Sequence, residues 1–233
     1  HFYARLCGTT GMTGQQAIDL LMLRLGKRTD VSLRATILLE MVLAQETELE
    51  AKGTKPWFLQ VDSTTELATT VGQETVDLSV LARPYLGVSE EWGGFWYDTG
   101  STDEASKWRK IGRKAFGMLQ MQAENGYSPD TWKYDLVNGK LYIRPIPTEV
   151  VALRAMYYGK DTAPADDSST NLWLTHAPDL LIGETGLAVA THHTRDYDAI
   201  QLFTVTRDKA RARMIAENAM YEMNDMQLTM GDD

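Results

Sequence analysis

The chain has 233 residues, 43% hydrophobic and 24% charged, which is the composition of one or two folded domains rather than of a disordered chain. No apolar run approaches the roughly 18 residues that a transmembrane helix needs, so we expect a soluble protein. Cys7 is the single cysteine, which excludes an internal disulfide and a zinc site of four cysteines. Residues 1–11 precede the first methionine, Met12, and are expected to be an upstream extension or a processing remnant.

The net charge of −9 is distributed unevenly along the chain. Residues 1–58 carry +1, residues 59–106 carry −8, residues 107–160 carry +6 and residues 161–233 carry −8. The acidic total argues against general coating of nucleic acid. Alternating blocks of opposite charge are typical of a subunit that presents complementary patches to partners or to copies of itself.

Two antiparallel helices are predicted at the N-terminal end of the chain. The first spans residues 14–25 and is followed by Gly26, a residue typical of a C-terminal cap. Its apolar positions recur on helical spacing and are Ile18, Leu21, Met22 and Leu25. The second helix begins at Asp30 or Ser32, either of which can cap it, and ends by Gly53. Its predicted buried stripe consists of Ala35, Leu38, Met41, Val42, Gln45 and Leu49.

The middle of the chain begins with threonine- and valine-rich segments that predict short strands at 59–61, 69–71 and 75–78. Residues 87–106 contain four glycines and are predicted to form a long loop. This segment carries four aromatic residues within six positions, Trp92, Phe95, Trp96 and Tyr97. Two interpretations are equally supported: the rings fill a local core, or they form a binding loop that a partner buries.

A basic segment follows the aromatic residues. Five of its eight residues are cationic: Lys107, Arg109, Lys110, Arg113 and Lys114. Since apolar residues continue to Met121, we expect the segment to become a helix. A solvated basic face is the favoured interpretation, and the alternative is contact with an acidic partner or with phosphates beside Trp108.

The strongest local pattern lies in residues 132–146. Asn138-Gly139 is the dipeptide preferred in a two-residue type I′ hairpin, because both residues need positive φ. Folding the chain about this dipeptide pairs apolar residues on one face, Leu136 with Leu141 and Tyr134 with Ile143. A further apolar strand at 150–158 is expected to pair in the same sheet.

Two more helices are predicted in the C-terminal part. One opens at Pro178, since proline is tolerated in a first helical turn, and runs to about His193. Its small residues, which suit close packing, are Gly183, Gly186, Ala188 and Ala190. The last helix spans residues 198–226. Three of its methionines either fill the core or form an adaptable partner surface, namely Met220, Met223 and Met226.

The order of elements indicates an α+β fold, with N- and C-terminal helices packed as a bundle and a small antiparallel β-sheet domain in the middle. The predicted division has an N-terminal extension at 1–11 and a helical domain formed by 12–56 and 171–228. The remaining parts are a β-rich domain at 57–160, an exposed loop at 161–170 and a tail at 229–233.

The sequence predicts no catalytic, cofactor or metal site, and therefore no enzyme. The only cluster that suggests a metal consists of His176, Asp179, His192, His193 and Asp196. Adjacent histidines on a helix point about 100° apart, so both ligate one ion only with difficulty. The sequence also lacks a zinc-protease, serine-hydrolase, phosphate-loop or dinucleotide motif. A metal-assisted hydrolase is the weaker alternative.

The order of elements and several short tags resemble the adaptor, or head-to-tail connector, proteins of bacteriophages. The tags are Pro56-Trp57-Phe58, Gly126-Tyr127-Ser128-Pro129, Trp132-Lys133-Tyr134, Gly139-Lys140-Leu141, Arg144-Pro145-Ile146-Pro147, Tyr157-Tyr158, Asn171-Leu172-Trp173-Leu174 and Ala177-Pro178-Asp179-Leu180-Leu181. The resemblance implies a homo-oligomeric ring, expected to be twelve-fold, that joins the portal protein to a tail or nozzle protein.

DNA would pass through the lumen of such a ring without sequence recognition. The resemblance also implies a place in the virion neck, after assembly in the host cytoplasm, with no membrane contact. Another neck or tail-tube subunit is the alternative within the same particle. The residues predicted to contact partners are Trp92, Phe95, Trp96, Tyr97, Lys107, Arg109, Lys110, Arg113, Lys114, Met220, Met223 and Met226.

Overall fold

The computed structural model describes residues 11–229, except 28, 53–54, 89–92, 127, 130, 165 and 167, and describes only the backbone at 104–105 and 222–229. The chain divides into two compact units. His1–Leu59 and Asp161–Asp233 form the first, the helical unit, and Gln60–Lys160 forms the second, the β unit. Among the described residues, no helix combines the length and the apolar character that crossing a membrane requires.

Among its described residues, the helical unit contains five α-helices. They are α1 (Gly14–Arg24), α2 (Val31–Leu43), α5 (Leu172–His176), α6 (Pro178–Val189) and α7 (Tyr197–Thr229). Two of them continue into π-helical turns, α2 into Ala44–Glu50 and α6 into Ala190–Thr194. The predicted helices at both ends of the chain are therefore confirmed, whereas α5 had no counterpart in the sequence prediction.

The N-terminal helices begin and end at residues suited to capping. Thr13 forms a capping box with Gln16, and Gly26 ends α1 with a φ of +65°. Between the two residues proposed as the cap of α2, the structure selects Asp30, whose carboxylate accepts a hydrogen bond of 3.1 Å from the Leu33 amide. The predicted apolar face of α1 is confirmed, because Ile18, Leu21, Met22 and Leu25 are all buried.

The buried stripe predicted for α2 is partly wrong. Ala35 is exposed, and Leu38 and Val42 are only half-buried. The residues that are buried along α2 and its π-helical continuation are Leu33, Ile37, Met41, Ala44, Gln45 and Leu49. Because α2 is apolar around most of its circumference, its spacing is compatible with more than one buried face, and packing against α6 decides between them.

Helix α6 lies between α2 and α7. It contacts both helices, and its residues from Leu180 to Gly186 are all buried. Two glycines allow the close approach of α7. A Cβ at Gly183 would lie 2.8 Å from the backbone of Arg207, and a Cβ at Gly186 would lie 2.5 Å from Cε1 of Phe203. The prediction that small residues make this helix suited to close packing is confirmed.

The described part of the β unit contains nine strands and two short α-helices, with a 3-10 turn at Leu78–Val80. The strands are β1 (Gln60–Ala68), β2 (Thr75–Asp77), β3 (Tyr85–Gly87), β4 (Gly94–Asp98), β5 (Trp108–Lys110), β6 (Gly112–Arg113), β7 (Lys133–Val137), β8 (Lys140–Arg144) and β9 (Ala152–Gly159). The helices are α3 (Glu104–Lys107) and α4 (Phe116–Glu124).

Two sheets share the core of the β unit. One has the order β1-β9-β4-β5, with β3 also on β9, and the other has the order β2-β8-β7-β6. All pairs are antiparallel except β6 with β7. The largest fully buried side chains between the sheets are Tyr157, Phe95, Ile111 and Leu141. The α+β fold class is confirmed, although the single small sheet that was expected is two sheets.

The β7–β8 hairpin forms as predicted. Leu136 pairs with Leu141 and Tyr134 pairs with Ile143. Asn138 and Gly139 have φ values of +51° and +72°, as a type I′ turn requires. The agreement arises because turn residues and hydrophobic alternation specify the same register.

Other expectations for the middle of the chain are wrong. The 150–158 segment was expected to join the sheet of the hairpin, but it forms β9 in the other sheet. Both edges of β8 are already occupied, by β7 and β2. Residues 69–71 form no strand, because the first strand is long and ends at Ala68. The expected loop at 87–106 contains β4, and the basic segment forms β5 and β6, so the helix begins only at Phe116.

Candidate partner-binding surfaces

Strand β4 distributes the aromatic residues over both faces of its sheet. Phe95 has no exposed surface and packs edge to face on Tyr134, with ring centroids 5.0 Å apart. Tyr97 points the same way and stacks on Trp132 at 4.7 Å. These two rings therefore form part of the local core, which is the first of the two interpretations. Trp92 lies outside the described residues.

Trp96 lies on the opposite face of β4. Its ring is half-buried, and the ammonium group of Lys110 lies 5.2 Å from the ring centroid. This distance is typical of a cation–π contact. Strand alternation separates Trp96 from Phe95 and Tyr97, so the aromatic residues do not act as one surface.

The basic segment forms one wall of a surface groove of about 590 Å³. Four cationic residues line this basic groove, namely Arg109, Lys110, Arg113 and Lys133, and no described lining residue is acidic. Strands β5 and β6 are the outer strands of the two sheets, which places their side chains at a sheet edge. Gly112 makes room for the neighbouring lysine, since a Cβ there would lie 2.9 Å from Lys133 Nζ.

The other two predicted basic residues have contacts of their own. Lys114 donates a hydrogen bond of 2.9 Å from Nζ to Oε1 of Gln122. The Lys107 Nζ lies 5.9 Å from the Trp108 ring centroid.

One residue of the basic groove has an acidic neighbour, since Arg113 lies 3.4 Å from a carboxylate oxygen of Asp135. The groove is consistent with either interpretation of this segment, a solvated basic face or a contact with an anionic partner.

The methionines of α7 occupy different environments. Met214 is 3% exposed and belongs to the core, whereas Met220 is 61% exposed. The side chains of Met223 and Met226 lie outside the described residues, although both positions are helical. Leu202 and Val205, which had not been selected from the sequence, are also exposed apolar residues of α7.

The outward face of α2 is an exposed apolar surface on a described helix. It consists of residues four apart, Val31, Ala35, Leu39 and Leu43. Val31 is 79% exposed, and Leu39 is 59% exposed. Sequence reasoning missed this surface because Ala35 was expected to be buried. The available signal was that α2 is apolar on both sides, which is unusual for a helix at the surface of a single subunit.

The histidines and aspartates of the predicted cluster are all described, and they do not gather into one site. His193 Nε2 lies 2.8 Å from Oε1 of Glu40, and the His176 ring packs on Phe58 at 5.2 Å. Desolvation lowers the pKa of His176 despite the nearby charges of Asp161 and Glu217. Within the described part of the chain, no three His, Cys, Asp or Glu residues are arranged to hold a metal ion.

A comparison with protein families shows the family to which the chain belongs. The family model described as SU10 adaptor protein matches residues 12–232, which is nearly the whole chain. The chain belongs to this family of bacteriophage adaptor proteins. No curated protein matches the chain. The resemblance inferred from the sequence is confirmed, and this adaptor is a structural phage protein.

Proposed function

We propose that this adaptor protein assembles into a ring in the virion neck, where it joins the portal to the tail and lines the DNA exit channel. The observation that carries the proposal is the exposed apolar face of α2 in a member of a phage adaptor family. Subunits that function alone rarely expose a contiguous apolar surface of this kind, whereas subunits of permanent assemblies bury it against each other.

The acidic segments of the chain support the proposal that the ring surrounds DNA. Residues 59–106 and 161–233 each carry −8, so an acidic lumen is available to the ring. Phosphates would move past a wall of like charge rather than bind to it. The basic groove of the β unit would then face an anionic surface of a neighbouring copy or of a partner, away from the DNA. A lumen lined by basic residues in a cryo-EM map of the assembly would contradict this arrangement.

The proposed number of copies is twelve, with assembly in the host cytoplasm. Native mass spectrometry of the purified chain, alone and mixed with the portal protein of the same phage, tests the proposal. We expect a ring of a single mass that binds the portal assembly. A chain that remains monomeric and does not bind the portal would contradict it.

A further inference from the structure

We propose that adjacent copies in the ring pack head to tail through two different helices, the outward face of α2 in one copy covering the outward face of α7 in the next. This inference rests on the proposed ring and names the contact that builds it. The α2 face consists of Val31, Ala35, Leu39 and Leu43, and the α7 face consists of Leu202, Val205, Lys209, Ala212 and Ala216.

The position of α6 places the two faces on opposite flanks of the helical unit. Helix α6 is buried and contacts both α2 and α7, so these two form the outer layers. The buried residues of α2, such as Ile37 and Met41, are directed inward, as are Phe203 and Met214 of α7. The outward faces of α2 and α7 therefore point away from each other. A single neighbouring copy cannot cover both of them.

The α2 face presents three large side chains and one alanine on a regular spacing. Its residues recur every four positions, which places them in one row along a helix. Leu39 and Leu43 are 59% and 41% exposed, although each is a residue type that is usually buried. Such a row acts as a ridge that a second helix can accept between its own side chains.

The α7 face has the complementary shape. Its exposed residues recur at intervals of three and four, as in the contact seam of a coiled coil. Leu202 and Val205 occupy one end of the face, and the alanines Ala212 and Ala216 occupy the centre of the helix. Small residues let a neighbouring helix approach closely, so this face can accept the larger side chains of α2.

The difference between the two faces determines what kind of contact they make. In a two-fold dimer, the α2 face of one copy would pack against the same face of the other, so that the two rows of large side chains would meet. The α7 faces of both copies would remain uncovered. Contact between unlike faces on opposite flanks adds a further copy each time and generates a closed ring when the rotation allows. Charge agrees with this pairing, since the α7 face contains Lys209 and Glu46 follows the α2 face one turn later.

Disulfide cross-linking between co-expressed, differently tagged copies tests the pairing. One copy carries Leu39→Cys, and the other carries Val205→Cys, Ala212→Cys or Ala216→Cys in turn, all with Cys7→Ser to remove the native thiol. Two cysteines form a disulfide when their Cα atoms lie about 5–6 Å apart, so the three α7 positions sample the register. In the control experiment, Val80→Cys takes the place of Leu39→Cys. Val80 lies in the β unit and is 57% exposed, so this pair measures cross-linking by random collision.

We expect a cross-linked heterodimer between Leu39→Cys and at least one α7 variant, and no such product with Val80→Cys. A single chain carrying both cysteines should give a ladder of covalent multimers. Two results would overturn the α2–α7 pairing without contradicting the proposed ring. One is self-cross-linking of Leu39→Cys as the main product, and the other is a ring of native mass without any α2–α7 product. A monomeric Cys7→Ser chain would contradict the proposed function itself.

Discussion

The indole Nε1 of Trp173 donates a hydrogen bond of 2.9 Å to Oε1 of Glu50, and both side chains are buried. The same carboxylate oxygen accepts hydrogen bonds from Gln45 Nε2 and from the backbone amide of Asp161. These contacts join the N-terminal and C-terminal segments of the helical unit across more than a hundred residues. A buried polar network of this kind stabilises one arrangement of the segments because every alternative leaves a donor unpaired.

The first prediction concerns this network. Glu50→Ala removes the acceptor that Trp173, Gln45 and Asp161 share, so we expect the free energy of unfolding to fall by about 2 kcal/mol or more. Urea denaturation measures the change. Glu48→Ala is the matched control, since Glu48 forms an exposed ion pair with Lys52 that is worth less than about 1 kcal/mol. Equal losses in the two variants would show that Glu50 does not organise the unit.

The second prediction concerns the contact between α6 and α7. Gly186→Ala places a methyl group 2.5 Å from Cε1 of Phe203, and we expect a net loss of about 1–3 kcal/mol in spite of the better helix propensity of alanine. Gly117→Ala in α4 is the control, because nothing lies within 4 Å of a Cβ there. Thermal denaturation should show the opposite sign for this variant, a gain of up to about 1 kcal/mol. A stabilised Gly186→Ala protein would contradict the close packing.

The third prediction is a pH dependence. Glu184 is 6% exposed and lies 2.6 Å from Arg211, and its desolvation raises the pKa of the carboxyl above its ordinary value of 4.5 in spite of that arginine. The folded state therefore binds this proton more tightly than the unfolded state. Its contribution to stability is complete below pH 4.5 and is lost as the pH rises through the higher folded pKa.

Glu184→Gln cannot titrate, so it isolates this contribution. We expect the free energy of unfolding of the unsubstituted protein, measured relative to Glu184→Gln, to increase as the pH is lowered from 7 towards 4.5. Urea titrations of both proteins at several pH values give this difference. If the difference instead shrinks on acidification, the pKa of Glu184 is lowered by Arg211 and the prediction fails.

The fourth prediction concerns the assembly. Leu39→Asp places a charge on the exposed face of α2, where it contacts solvent in a single copy but would be buried between copies. We expect the Leu39→Asp chain to keep its circular dichroism spectrum and a cooperative thermal transition, but to sediment as a monomer instead of at the mass of the ring. Val80→Asp, at 57% exposure, is the matched control and should assemble normally. A ring formed by Leu39→Asp would show that α2 is not at the contact.

Local signals in the sequence determined several elements of this protein. The Asn138-Gly139 dipeptide and the alternating residues beside it specify the β7–β8 hairpin with its register. Likewise, Pro178 and Gly26 mark a helix start and a helix end. The interactions that specify these features join residues within a few positions of each other, so a short segment is enough to predict them. The family resemblance was also available, because it rests on the order of such segments.

Long-range packing decided the rest. Whether β9 joins the hairpin or the other sheet depends on which strand edges are already occupied, and β2 and β7 occupy both edges of β8. Phe95 and Ile111 are buried because two sheets meet over them, although their segments were expected to form a loop and a helix. On α2, several apolar faces are compatible with the sequence, and contact with α6 selects one and leaves Leu39 exposed. A face becomes buried only when a distant segment covers it, and local spacing does not contain that information.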